Sequence, residues 1–211
     1  MISHSLRCVF IHIPKCGGTS IEDVLWPGPR TTNELWGGFV DAYCNPYQTG
    51  GLQHLTAALV RKVIGEETFE RYYRFAVVRN PWDRAVSQFV FLRRRPDLQA
   101  FLGIDGDATF KAYLRAIRAR AHVQWEPQYR FLYDTNDRIL VDDVLRFEQL
   151  DASIAQVFDR LGVLGPLPHR NAGERESLQA YYDDEARELV AEWYAQDVHR
   201  FGYTFPQVQN A

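Results

Sequence analysis

The stretch VFIHIPKCGGTSIEDVLW, Val9 to Trp26, constrains the fold more than any other part of the chain. Its apolar run, Cys8 to Ile13 and interrupted only by His12, has the length of a buried strand and is too short for a helix. Pro14 ends the run, Gly17 and Gly18 allow a tight turn, and an amphipathic helix is expected from Ser20 to Leu25, stopped by Pro27 and Gly28. A strand, a glycine loop and a helix start bring backbone N–H groups and the helix dipole together on an anion. The lysine of this loop, Lys15, precedes the glycines. In the nucleotide-binding spelling GxxxxGK[ST] it follows them.

A second strand–turn–helix unit lies in FAVVRNPWDRAVSQFVF. Phe75 to Arg79 reads as a buried strand, Asn80-Pro81 as the turn, and Asp83 to Arg94 as a helix capped by Asp83. RILVDD, Arg138 to Asp143, reads as a third strand. Helices are expected over Thr56–Ile64, Glu66–Tyr72, Phe110–Ile117 and Asp151–Leu161, and a last one opens at Asp183 with Gly202 beyond its end. Strands separated by helices imply an α/β domain whose central, mostly parallel sheet is covered on both faces. Its ligand would sit at the carboxyl edge of that sheet, where both loops end. Residues 28–53 form a long loop with Trp36, Phe39, Tyr43 and Tyr47, suited to a ligand or a lid.

Length and composition fit one domain over residues 1–211. A formal net charge of -3 gives no reason to expect nucleic acid as a partner. Cys8, Cys16 and Cys44 form no CxxC pair, which argues against a disulfide framework or a zinc site and for a reducing cytoplasm. No stretch is long enough to span a bilayer, and MISHSLRCVFIHI lacks the apolar core of a signal peptide.

The chemistry of the two loops follows from their residue types. Gly17 and Gly18 let N–H groups approach a ligand, the Thr19 and Ser20 hydroxyls add donors, and Lys15 adds a point charge. With three lysines against 21 arginines in the chain, a lysine in this place stands out. The bland alternative, a plain connecting turn, does not account for it. Cys16 reads as a small filler, since no histidine or second cysteine adjoins it. Arg79 and Ser87 can face the same sheet edge and offer a fork and a hydroxyl to a second anion, although an Arg79–Asp83 ion pair would equally explain the arginine. Two such sites suggest a ligand with two separate phosphate groups.

These segments resemble a known family. HIPKCGGTS is similar to the 5′-phosphosulfate loop, and RNPWDRAVSQF to the 3′-phosphate motif, of sulfotransferases that use 3′-phosphoadenosine 5′-phosphosulfate (PAPS). The resemblance is closest to the family-2 type, the carbohydrate O-sulfotransferases and their soluble bacterial relatives. GLQHLTA, WEPQYRFL, ILVDDVLRFEQL, LPHRN and RFGYTF follow in the family's order, so it extends from Val9 to Phe205. It implies a three-layer, P-loop-NTPase-like domain and sulfuryl transfer from PAPS to an acceptor hydroxyl on a carbohydrate or small molecule, leaving 3′,5′-ADP, with no metal. The donor would be held by Lys15, Cys16, Gly17, Gly18, Thr19, Ser20, Arg79, Ser87, Arg170 and Asn171. Cys16 stands where many relatives carry threonine.

Lys15 would reach the oxygen bridging phosphate and sulfate. His54, in the family's histidine segment, is the expected base, with Glu22 in reserve. His12 reads as a core histidine. Trp36, Tyr43, Trp125 and Gln128 are the expected substrate contacts, and Glu148 the partner of an arginine. The competing readings are a kinase or nucleotide hydrolase using Mg-ATP and a non-catalytic nucleotide-binding module. The lysine placed before the glycines speaks against the first, and the intact set of Lys15, His54, Arg79 and Ser87 against the second.

Overall fold

The computed structural model describes residues 1–36, 52–168 and 176–206. Four strands form one sheet in the order β1 (Ile2–Ser3), β2 (Cys8–Ile11), β3 (Tyr73–Val78) and β4 (Asp143–Arg146). β2, β3 and β4 run parallel, and β1 adds an antiparallel edge to β2. All four residues of β2 and the last four of β3 are buried. Side chains alternate between faces along a strand, so both faces of the sheet are covered.

The crossover from β2 to β3 carries α1 (Gly18–Leu25), α2 (Ala57–Ile64) and α3 (Glu66–Arg71). The crossover from β3 to β4 carries α4 (Pro81–Leu92), α5 (Pro96–Leu102), α6 (Phe110–Ala119) and the short α7 (Tyr129–Leu132). After β4 come α8 (Leu150–Leu161), α9 (Asp184–Trp193) and α10 (Ala195–Phe201). The result is the expected α/β arrangement, a mostly parallel sheet flanked by helices.

Three boundaries differ from the sequence reading. The third strand is Asp143–Arg146 rather than Arg138–Asp143. The apolar Leu140 turns back on Leu132, its N–H donating to that carbonyl at 2.8 Å, and the ladder with β3 begins only where Asp143 meets Phe75. α4 starts at Pro81, with the Asn80 side chain accepting from the Trp82 N–H. Proline fits the first helical position because its missing N–H would be unpaired there. Asp83 is thereby freed from capping and bonds Arg79. The last helical stretch is two helices broken at Tyr194, capped by Asp183 at one end and closed by Gly202 in the left-handed region (φ 61°) at the other.

One buried cation ties the loop after β2 to the rest. Arg84 on α4 is 1% exposed, and its guanidinium donates to the carbonyls of Pro14 (2.9 Å), Glu126 (2.9 Å) and Gln124 (3.3 Å). These carbonyls lie outside the α-helices and the sheet, and burying them without a strong donor would be costly. Arg84→Lys keeps the charge but loses the planar fork, so the substitution should cost roughly 2–4 kcal/mol. Urea unfolding of the two proteins measures this, and an unchanged midpoint would show that Arg84 does not hold the loop.

Candidate active site

The loop after β2 enters the left-handed region twice, at Lys15 (φ 68°) and Gly17 (φ 82°). Gly17 is needed twice over: its φ suits glycine, and a Cβ there would lie 3.1 Å from the Phe147 ring. Gly18 is required for a different reason from the one the sequence suggests. A Cβ at position 18 would fall 2.1 Å from the ring of His12, so glycine makes room for that side chain. No side chain caps the first turn of α1. The Ser20 N–H donates to the Gly17 carbonyl at 3.2 Å, and the N–H groups of Gly18 and Thr19 lead the helix beside the exposed Thr19 and the buried Ser20 side chains.

Lys15 is largely enclosed, with Nζ 4.4 Å from the centre of the Phe91 ring. Burial, then the positive charges of Arg79 and Arg94, bring its ammonium down to about 8. Cys16 is buried, and its Sγ donates to Gln128 Oε1 at 3.3 Å and to the Pro14 carbonyl at 3.6 Å. Burial pushes this thiol up to about 11 in spite of nearby arginines, so it stays a neutral thiol.

Arg79 leaves β3 beside this loop. Its Nε donates to Asp83 Oδ2 at 2.6 Å, and its Nη1 donates to the Lys15 carbonyl at 3.0 Å. Its guanidinium also stacks 4.0 Å from the centre of the Phe147 ring. The ion pair of the bland reading is therefore present together with a direct link to the glycine loop. Ser87, half-buried, lies one helical turn after Asp83 on the same face of α4. Next to Asp83 a cavity of about 430 Å³ opens, lined by Asn80, Arg146, Glu148, Tyr203 and Thr204 among others.

His54 is buried, and its Nδ1 lies 3.0 Å from the His12 carbonyl. A carbonyl only accepts, so Nδ1 carries the hydrogen and Nε2 bears the lone pair. Burial, then the neighbouring His12, lowers its proton affinity to about 3. The imidazole is thus neutral across the ordinary pH range, whereas the sequence alone suggests titration near 6.5. Glu22 is 4% exposed and fully engaged: Oε1 meets His12 Nδ1 at 2.6 Å, while Oε2 accepts from Arg30 (3.1 Å) and Trp36 (3.2 Å). Burial would raise this carboxyl, but the bond to His12 and its other partners outweigh that and hold it ionised.

The remaining expected contacts fall in different places. Trp36 is half-buried on Glu22. Trp125 is 2% exposed, with its Nε1 on the Arg120 carbonyl. Gln128 is wholly buried, its Oε1 accepting from the Arg79 N–H and its Nε2 donating to the Arg79 carbonyl, both at 2.8 Å. Neither Trp125 nor Gln128 faces open space, and both support the site from beneath. Glu148 takes the Asn80 N–H (2.6 Å) and the Tyr203 hydroxyl (3.1 Å), where an arginine was expected. Tyr43, His169, Arg170 and Asn171 lie outside the described residues. Arg84 and Phe147, which join the two motifs, are absent from the sequence reading. RFEQL was the one pointer to Phe147.

Among the described residues, no group of three or more His, Cys, Asp or Glu side chains could hold a metal ion. No helix there is long and apolar enough to cross a membrane.

Comparisons with known proteins bear on the family of the chain. An uncharacterized protein of Archaeoglobus fulgidus is 24% identical over 109 residues, covering 52% of this chain and 83% of that protein. The crystal structure of a sulfotransferase from Alicyclobacillus acidocaldarius is similar with a TM-score of 0.48 and 20% identity, over 90% of this chain and 92% of that one. The family model described as "Sulfotransferase family" matches residues 1–204, a span that contains both loops and His54. The protein belongs to the sulfotransferase family.

Proposed function

We propose that the protein transfers the sulfuryl group of PAPS to a hydroxyl of a carbohydrate or small-molecule acceptor. The observation that carries this reading is the bond from Arg79 Nη1 to the Lys15 carbonyl. It sets two anion-binding motifs side by side at the ends of adjacent parallel strands. A ligand with a 5′-phosphosulfate and a 3′-phosphate needs such a pair.

In this reading the N–H groups of Gly17 to Thr19, with Cys16 and Ser20 in the same loop, cradle the 5′-phosphosulfate. Arg79 and Ser87 meet the 3′-phosphate, and Arg170 and Asn171 complete the nucleotide side. Trp36 and Tyr43 face the acceptor. The acceptor oxygen forms a bond to sulfur as the bond from sulfur to the bridging oxygen breaks. Lys15 offsets the charge that develops on the departing phosphate, and no metal is called for. The hydroxyl proton goes to Nε2 of His54 and from there to solvent.

The donor preference is the first test. 3′,5′-ADP should bind roughly 10- to 100-fold more tightly than 5′-AMP, as expected for one charge-assisted contact. Arg79→Ala would also loosen the loop, since Arg79 holds the Lys15 carbonyl. Ser87→Ala is the cleaner variant and should weaken 3′,5′-ADP several-fold while leaving 5′-AMP unchanged. Titration calorimetry measures both. Equal affinities for the two nucleotides, or selective stabilisation by Mg-ATP, would refute the PAPS reading.

The pH profile is the second. Lys15 is lowered to about 8, so its charge is lost as pH rises through that value. His54 is lowered to about 3 and remains a neutral acceptor above it. kcat/KM for PAPS should therefore stay level through pH values of about 5–7 and fall above about 8. Lys15→Ala should reduce kcat by about 10²–10³ and abolish the alkaline fall. An acidic fall near 6.5 would assign the base to a group with an ordinary imidazole pKa.

A further inference from the structure

Behind His54 lies a buried polar group that the proposed chemistry leaves unexplained. His12 and Glu22 are 7% and 4% exposed. The Glu22 carboxylate has no hydrogen to give, so His12 donates Nδ1–H to Oε1 at 2.6 Å. Arg30 and Trp36 donate to the other oxygen, which fixes the carboxylate from the far side. The His12 ring is wedged between three neighbours. It stacks on Phe10 at 5.5 Å, meets the His54 ring edge-on at 4.6 Å, and occupies the space left by the missing Cβ of Gly18. The carbonyl of the same residue accepts the His54 Nδ1–H. His12 thus supports His54 twice, through its ring and through its backbone, and Glu22 anchors it.

We propose that Glu22 is a positioning residue which, through His12, fixes the ring of His54 with Nε2 turned to the acceptor. Glu22 is committed to three donors, one at Oε1 and two at Oε2, all held in buried or half-buried geometry, and this suits it to positioning. A buried carboxylate is a costly thing to place in a core. The expense is explained if the carboxylate orients an imidazole, as outer partners commonly do for functional histidines. The proposal rests on the sulfotransfer reading with His54 as base.

Two variants of the full-length protein test it. Glu22→Gln keeps the volume but presents an NH₂ group where only donors point. His12→Phe keeps a ring against Phe10 and His54 but removes the bond to Glu22. Each should lower kcat about 10- to 100-fold with donor KM and 3′,5′-ADP affinity within about twofold of the parent. Nitrogen-15 NMR of the imidazoles should show a sharp His54 Nε2 signal in the parent and an exchange-broadened one in both variants, while Nδ1 stays protonated against the backbone carbonyl of residue 12. A merely structural role would lower the melting temperature without broadening that signal. Turnover within twofold in both variants, a His54 Nε2 signal that stays sharp, or failure of both to fold would overturn the proposal. His54→Ala separates the two layers. If it turns over normally, the base assignment falls. If it is inactive while the other two are normal, only the role of Glu22 falls.

Discussion

Two arginines on one motif satisfy two carbonyls on the other, and much of the site depends on that exchange. The loop between β2 and α1 leaves regular pairing at Pro14 and Lys15, in the interior. Arg84 donates to the Pro14 carbonyl and Arg79 to the Lys15 carbonyl. Gln128 closes the arrangement by pairing with both backbone groups of Arg79 while accepting from Cys16. A buried carboxylate, Asp197, in turn takes the N–H groups of Gln128 and Tyr129 at 2.8 Å each. HIPKCGGTS and RNPWDRAVS are therefore one structural unit, joined by side chains of the second that satisfy backbone of the first.

The order of lysine and glycines follows from the same geometry. Lys15 sits in the left-handed region, a conformation that costs a non-glycine residue about 1–3 kcal/mol. The bond from Arg79 to its carbonyl stabilises that conformation. The Lys15 side chain lies over Phe91 on α4, with its ammonium 4.4 Å from the centre of that ring. Gly17 then carries the chain past Phe147, and Gly18 clears His12. The two adjacent glycines answer to two different neighbours. A reading from sequence assigns both to a ligand.

What was legible in the sequence was local. The continuous apolar run of β2, the helix expected from Thr56, the helix-spaced Phe110, Tyr113, Leu114 and Ile117, and the helix opening at Asp183 all mark elements found in place. β4 was misplaced because its residues are exposed or half-buried and its register comes from a partner about seventy positions earlier, where Phe75 meets Asp143. Arg84 looked like one more charged residue of a helix, since the carbonyls that make it a core residue lie far away in the chain. Trp125 and Gln128 were expected at the substrate because they belong to a matching segment. Segment matching identifies neighbourhoods, and it does not tell a side chain that lines a site from one that holds it up. His54 shows the same limit: its place was readable, but its lowered proton affinity depends on burial and on His12, which no local pattern reports.

The electrostatics of the two loops point the same way as their backbone. Lys15 is drawn down to about 8 by burial and by Arg79 and Arg94, so the protein holds like charges close together at a cost. Asp83 offsets one of them, at Arg79. An anion placed between Lys15 and Arg79 would relieve the repulsion and restore the lysine's usual affinity for its proton, because opposite charge favours the charged form. Ligand binding and proton uptake at Lys15 are therefore linked. In the proposed reaction that uptake would strengthen the charge on Lys15 at the step where it has to oppose the charge developing on the leaving oxygen.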